Sequence, residues 1–257
     1  MDIDDIRRLE ARAARTWPAA ENVPLGGWLL RASGGVTKRA NSVLTAGDEP
    51  SDGDWLQRVE AFYLSRGLTP TFQVTDGSPE RLDELLDRHG YAKETPCLLM
   101  IAETETAAAV ARDSSKVRHE DVRLQVSSHA DDEWLDDFIR LEQFPPERLP
   151  FYQGLLERMP AGTRYFTLLQ QRTAVAVATV VGEQGWGGVI NVAVDERLRG
   201  QGLGKTLMAS VAECCAEQQI DRLYLQVVAN NEPAIRLYRR FGFIPAYGYH
   251  YRIKLDP

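Results

Sequence analysis

This sequence is short of the residue types that build metal and redox chemistry. Its 257 residues include three cysteines and four histidines. Cys97, Cys214 and Cys215 supply neither a disulfide framework nor a C-x-x-C spacing; the last two sit side by side on a helical pattern as small apolar residues. His89, His119, His129 and His250 are scattered, with no H-x-x-x-H pair, so no metal is expected. No apolar run approaches the ~18 residues of a membrane span. The N-terminal MDIDDIRRLEARAARTW is charged where a signal peptide would be apolar. A cytoplasmic protein without a membrane partner is the expectation. Basic residues are outnumbered: 30 Lys and Arg face 37 Asp and Glu, a net charge of −7 that argues against a nucleic-acid partner. The rest is ordinary globular composition, long enough for one large domain or two small ones.

Patterning favours two. Residues 103–121, ETETAAAVARDSSKVRHED, are charged, Ala-rich and free of aromatics, and read as a linker that is in part helical. Before it, a helix (IRRLEARAARTW) leads to strand-like WLLRAS and ANSVLTA, the helix DWLQRVEAFYLSRG, the strand PTFQV, the helix PERLDELLDRHG and the strand PCLLMI. After it come VRLQVS, two helices (DDEWLDDFIRLEQF, FYQGLLERM), a hairpin (RYFTLLQ, AVAVATVV) and GVINVAV. The helix GKTLMASVAECCAEQQ and a closing strand–helix–strand follow. The halves resemble each other: FQV (72–74), a helix and HGY (89–91) match LQV (225–227), a helix and FGF (241–243). The Gln-to-Gly spacing is 17 in one and 16 in the other, so a tandem repeat is the preferred organisation.

One stretch has no counterpart in the first half: DERLRGQGLGKTLM (195–208), with three glycines in five positions. A P-loop, G-x-x-x-x-G-K-S/T, would need glycine at 199, where Arg199 stands. The dinucleotide fingerprint G-x-G-x-x-G would need glycine at 205, where Lys205 stands. What is left is Arg199-x-x-Gly202-x-Gly204 between a strand and an amphipathic helix. Glycines there let backbone N–H groups close on a pyrophosphate, and the helix N-terminus adds unpaired N–H groups and positive potential.

Here the sequence resembles the GCN5-related N-acetyltransferase family. The resemblance rests on VAVDERLRGQGLGKTLM (192–208) and on LQVVANNEPAIRLYRRFGF (225–243), which carries V-x-x-x-N-x-x-A-x-x-L-Y-x-x-x-G-F. More loosely, GWLLRASGGVTKRANSV (27–43) is similar to a segment in the degenerate first half of tandem actinobacterial members. The resemblance implies an α/β fold: two such domains in tandem, each a central twisted mixed sheet flanked by helices. The expected boundaries are 1–102 for a half without a cofactor loop, 103–117 for the linker and 118–257 for the catalytic domain.

It also implies acetyl-CoA as cosubstrate and an amine as acceptor. Val192, Ala193 and Val194 would offer backbone to the pantetheine arm, with an N–H near Val192 polarising the thioester carbonyl. Arg199, Gly200, Gln201, Gly202, Leu203, Gly204 and Lys205 would hold the pyrophosphate. Asn231 and Ala234 would contact the cofactor, Asn231 also serving as a helix cap before Glu232-Pro233. Tyr238 would touch the cofactor and protonate the departing thiolate.

The general base is not assigned. Ribosomal-protein acetyltransferases of this family often read L-E-V where this chain reads Leu225-Gln226-Val227, and neither Gln226 nor Asn191 takes up a proton. Glu142 and Glu183 are candidates by general position, beside a water chain or an amine bound already neutral. Arg39, Asn41 and Ser42 either wall the acceptor pocket at the domain interface or form the polar face of a hairpin strand, the latter preferred. The expected activity is direct acetyl transfer to a primary amine of a small molecule or a protein, with no covalent enzyme intermediate. The alternative is an acyl-CoA-binding sensor without turnover. The sequence does not choose between monomer and homodimer, nor fix the acyl length.

Overall fold

The computed structural model describes residues 1–114 and 121–255, which fold as two compact units. Unit 1 takes residues 1–98, 228–230 and the C-terminal segment from Ala246; unit 2 takes 99–227 and 231–245.

Unit 1 opens on α1 (Ile3–Thr16), capped by the Asp2 carboxylate, which accepts from the Asp5 amide. It continues through β1 (Glu21–Leu25), β2 (Trp28–Ala32), β3 (Val43–Leu44), α2 (Trp55–Leu64), β4 (Thr71–Thr75) and α3 (Leu82–Arg88). Strand β5 (Tyr91–Glu103) begins here and ends in unit 2. Of the expected strand ANSVLTA (40–46), only Val43–Leu44 is strand; Ala40 ends a 3₁₀ turn that starts at Lys38, and the remaining residues are in neither. Strands β1, β2 and β3 pair antiparallel, and β3 runs parallel to β4. The last strand of the chain, β11 (Ile244–Lys254), lies antiparallel to β4 with Tyr251 opposite Gln73. An aromatic cluster fills the core: Trp28 and Trp55 meet edge to face at 4.9 Å, Phe72 and Tyr91 at 5.3 Å.

A polar network is buried beside that core. The Glu10 carboxylate of α1 accepts from the Tyr247 hydroxyl at 2.9 Å and from the Gln73 amide at 2.7 Å. Arg31 donates to the Gln73 carbonyl oxygen at 2.7 Å and to the Ser42 hydroxyl at 2.9 Å. Every partner here comes from a different element, so the network fixes α1, β2, β4 and β11 against one another. Ser42 belongs to this network, and its neighbours Asn41 and Arg39 are held by other contacts. Asn41 Oδ1 accepts from the Ser33 and Gly35 amides at 2.7 and 2.9 Å, Ser42 Oγ donates to the Lys38 carbonyl, and Arg39 lies 3.9 Å over the Trp17 ring. These side chains hold the 33–42 loop, and none of the three lies on the hairpin strand that was expected: Arg39 is in the Lys38–Ala40 turn and Asn41 and Ser42 follow it.

After the end of β5, unit 2 continues with α4 (Thr104–Ser114), in the stretch expected to be a linker in part helical. Ala107, Ala108 and Ala111 are fully buried on one face, and α4 packs there against α7 (Leu203–Glu217). Alanine reads as featureless in a sequence, yet it is the best helix former and the side chain that lets two helices approach closely. The rest of the expected linker, with His119, lies outside the described residues. Then come β6 (Val122–Ser127), α5 (Asp132–Leu141), α6 (Leu149–Glu157), β7 (Thr163–Gln170), β8 (Thr173–Glu183), β9 (Trp186–Val194), β10 (Arg222–Val228) and α8 (Glu232–Arg240). Strands β6 to β9 form an antiparallel meander, and β10 joins β9 in parallel. Residues 174–181 of β8 are all buried, as befits its central place.

The division differs from the expected boundaries: residues 99–102 and the helix inside 103–117 belong to unit 2, while 228–230 and the chain end from Ala246, whose strand β11 pairs with β4, belong to unit 1. The repeat is visible within each half. Gln73 and Gln226 sit on β4 and β10, and Gly90 and Gly242 leave α3 and α8 at φ 79° and 80°. No described helix is long and apolar enough to cross a membrane.

Candidate active site

The site is made by two parallel strands that part. Pairing of β9 with β10 runs from Trp186 and Arg222 to Val189 and Leu225 and stops there. On the other side of β9, Val177 faces Ala193 while Thr179 faces Ile190, so Asn191 and Val192 together oppose Ala178. This is a β-bulge, which bends the strand that carries it. Asn191 takes the left-handed conformation at φ 53°, which asparagine tolerates better than most residues, and its amide donates to the Thr179 hydroxyl at 3.3 Å. Its side chain is spent on the bulge.

A cavity of about 430 Å³ lies beside the bulged end of β9. Val192, Ala193 and Val194 form one wall and Asn231, Ala234 and Tyr238 of the α8 segment another. Arg199, Gly200, Gly202, Leu203 and Gly204 close it at the start of α7. Gln201 and Lys205, expected among the cofactor contacts, are outside this wall: Gln201 is exposed, and Lys205 sits on the first turn of α7. Gly202 caps α7 at φ 89°, a conformation that strains any side-chain-bearing residue. The helix therefore starts with the N–H groups of Leu203 and Gly204, which its own geometry leaves unbonded and which carry the positive end of its dipole. Gly204 answers a second need, since a Cβ there would stand 3.2 Å from Leu237 of α8.

Upstream, Asp195 fixes the loop. Its carboxylate accepts from the Arg197 amide and guanidinium at 2.8 to 3.1 Å, with Arg140 of α5 at 3.7 Å. The Arg197 bonds, ahead of the nearby positive charges, hold its pKa at about 2 against the usual 3.8.

Tyr238 is buried, and its hydroxyl has no hydrogen-bond partner among the described residues. Burial first, and then the charge of Glu142, push its pKa up to about 12. The phenol is thus fully protonated at neutral pH. Glu142, one of the sequence candidates for the base, ends α5 and lines the same cavity. Glu183 does not: it ends β8 opposite Trp186, at the far end of the pair from Val194. Gln226 follows the last residue of β10 that pairs with β9 and is absent from the wall. Asn231 Oδ1 accepts from the Ala234 amide at 3.3 Å, so the helix-cap reading holds while the residue also lines the cavity. The sequence reading missed the bulge and the apolar contributions of Leu141, Leu198 and Leu237. An asparagine amid the β-branched run VINVAV was the available signal. Among the described residues no group of three metal-ligating side chains comes together.

Comparison with known proteins identifies the family. A family model described as "Probable histone acetyltransferase Rv0428c C-terminal" matches residues 3–252. A Bacillus subtilis (strain 168) protein described as uncharacterized N-acetyltransferase YobR is 38% identical over 252 residues, 98% of this chain and all of that one. Among solved structures, a GCN5-related N-acetyltransferase from Kribbella flavida superposes with a TM-score of 0.73 at 16% identity, over 98% of this chain and 96% of that one. A tandem GNAT protein from the clavulanic acid biosynthesis pathway does so with a TM-score of 0.63 at 12% identity, over 98% and 94%. The chain belongs to the Rv0428c C-terminal family of the GCN5-related N-acetyltransferase superfamily and is an N-acetyltransferase.

Proposed function

We propose that unit 2 moves an acetyl group from acetyl-CoA to a primary amine by direct attack, and that unit 1, which has no glycine loop, does not bind the cosubstrate. The carrying observation is the gathering, in one cavity, of the bulged end of β9, the N-terminus of α7, Tyr238 and Glu142. Acetyl-CoA supplies an activated acyl group. The chain's own residues supply the rest. Backbone at Val192 to Val194 offers hydrogen bonds beyond the point where β10 stops pairing, and an N–H there stabilises negative charge developing on a carbonyl oxygen. The amides of Leu203 and Gly204, with Arg199, suit a pyrophosphate. Glu142 takes up the proton that an ammonium must lose before it attacks, directly or through one water, and Tyr238 hands a proton to the leaving sulfur.

The test is calorimetric titration with acetyl-CoA of the wild type beside Arg199→Ala and Gly202→Val. One site per chain, weakened in both variants, is expected. Two sites would mean that unit 1 binds as well, and no binding would remove the acetyl-CoA reading.

A further inference from the structure

The turn that carries Glu142 is built in an uncommon way. The Phe144 amide donates to the Ile139 carbonyl at 3.0 Å and the Gln143 amide to the Arg140 carbonyl at 3.1 Å. This is the Schellman ending of α5, with Phe144 packed on Phe138 at 5.8 Å. Its left-handed position, normally glycine, is Gln143 at φ 55°. A side chain there is strained, but this one reaches across: Gln143 Nε2 donates to a Glu196 carboxylate oxygen at 2.6 Å, and the other oxygen of Glu196 lies 3.9 Å from Arg199. The cap itself does not require that bond. Gln219 ends α7 in the same motif, its amide donating to Ala216 and the Ile220 amide to Cys215, and its side chain bonds nothing among the described residues.

We propose that Gln143 is a positioning residue: its bond to Glu196 holds the turn that presents Glu142 to the cavity and ties that turn to the phosphate loop. Glu196 is the shared anchor, steadying Gln143 with one oxygen and Arg199 with the other. This rests on the reading of Glu142 as the base.

Gln143→Gly is the informative variant, because glycine relaxes the left-handed position while deleting the strap. Thiol release from acetyl-CoA is followed with ethanolamine, phenethylamine and Nα-acetyl-lysine amide as acceptors, and with water alone. Gln143→Gly is expected to melt no lower than wild type and to keep its KM for acetyl-CoA within twofold. Its kcat should fall at least fivefold, and the acid limb of its pH profile should move. Gln143→Lys, which can pair with Glu196, should recover at least half of the loss. Glu196→Gln still accepts from Gln143 but releases Arg199, so it should change KM for acetyl-CoA and leave kcat within twofold. Wild-type kcat and pH profile in Gln143→Gly overturn the proposal, as does an equal loss in Gln143→Lys. Glu142→Gln separates the two readings. If it has the wild-type pH profile, the base reading falls and takes the strap with it; if it is impaired while Gln143→Gly is not, the strap falls alone.

Discussion

Glu10 offers a sharp test of how burial and hydrogen bonding compete in this fold. It is 1% exposed, its two oxygens accept from Tyr247 and Gln73, and Arg31 lies one hydrogen bond further on. Desolvation raises its pKa while those bonds and the Arg31 charge lower it; desolvation wins, leaving a value of about 7 against 4.5 for the free side chain. The folded state therefore binds the proton more tightly than the unfolded state. Below pH 4.5 both states are protonated and the difference does not matter. Between pH 4.5 and 7 the unfolded chain ionises first, so stability falls as pH rises, and above 7 the loss is complete. At 1.36 kcal/mol per unit, the shift corresponds to about 3 kcal/mol. Glu10→Gln keeps the shape and cannot ionise. Urea unfolding followed by tryptophan fluorescence at pH 5, 6, 7 and 8 gives the stability of each protein. Their difference, wild type minus variant, should fall by most of that amount across the series, contributions from other groups cancelling. A constant difference would refute the dominance of burial. A flat difference is also what a Glu10 held ionised by Arg31 and the hydrogen bonds would give, since a lowered pKa changes stability only below pH 4.5.

The other expectations concern unit 2. Tyr238→Phe should lower kcat by at least tenfold with the acetyl-CoA dissociation constant within twofold; with the phenol pKa near 12, no alkaline loss of activity below about pH 10 should depend on this residue. Asp195→Asn removes a carboxylate that holds Arg197 and Arg140; one charge-assisted bond is worth ~1.5 kcal/mol, so acetyl-CoA affinity measured by calorimetry should drop roughly tenfold. Its wild-type carboxylate is held near 2, so its own stabilisation is present above pH 3.8 and is lost as pH falls through 2. Ala108→Leu forces three extra heavy atoms between α4 and α7 and should destabilise by about 1–3 kcal/mol in urea melts; a neutral result would mean that the α4 contact is loose.

Much of the site was legible because its chemistry is local. The glycines at 200, 202 and 204 announce a left-handed turn into a helix, and Asn231 before Glu232-Pro233 announces a cap; each signal lies within a few residues of its effect. Tyr238 was legible only through the family signature, since its spacing in IRLYRRF equally suits a core aromatic, and its burial shows that it is one as well. Glu142 could be named but not chosen. Glu183 has the same chemistry, and only the end-to-end placement of β8 and α5 separates them.

By itself the sequence determined the order of elements, the repeated strand–helix–strand and the glycine-rich loop before α7, because backbone preferences and short periodicities act over one or two turns. Only the tertiary structure decided where the chain's last strand pairs, that the alanine run is a packed helix, how β9 parts from β10, and which carboxylate reaches the cavity. Those outcomes depend on contacts between residues far apart in the chain, such as Tyr247 with Glu10 and Gln143 with Glu196, and a contact of that range leaves no period to read.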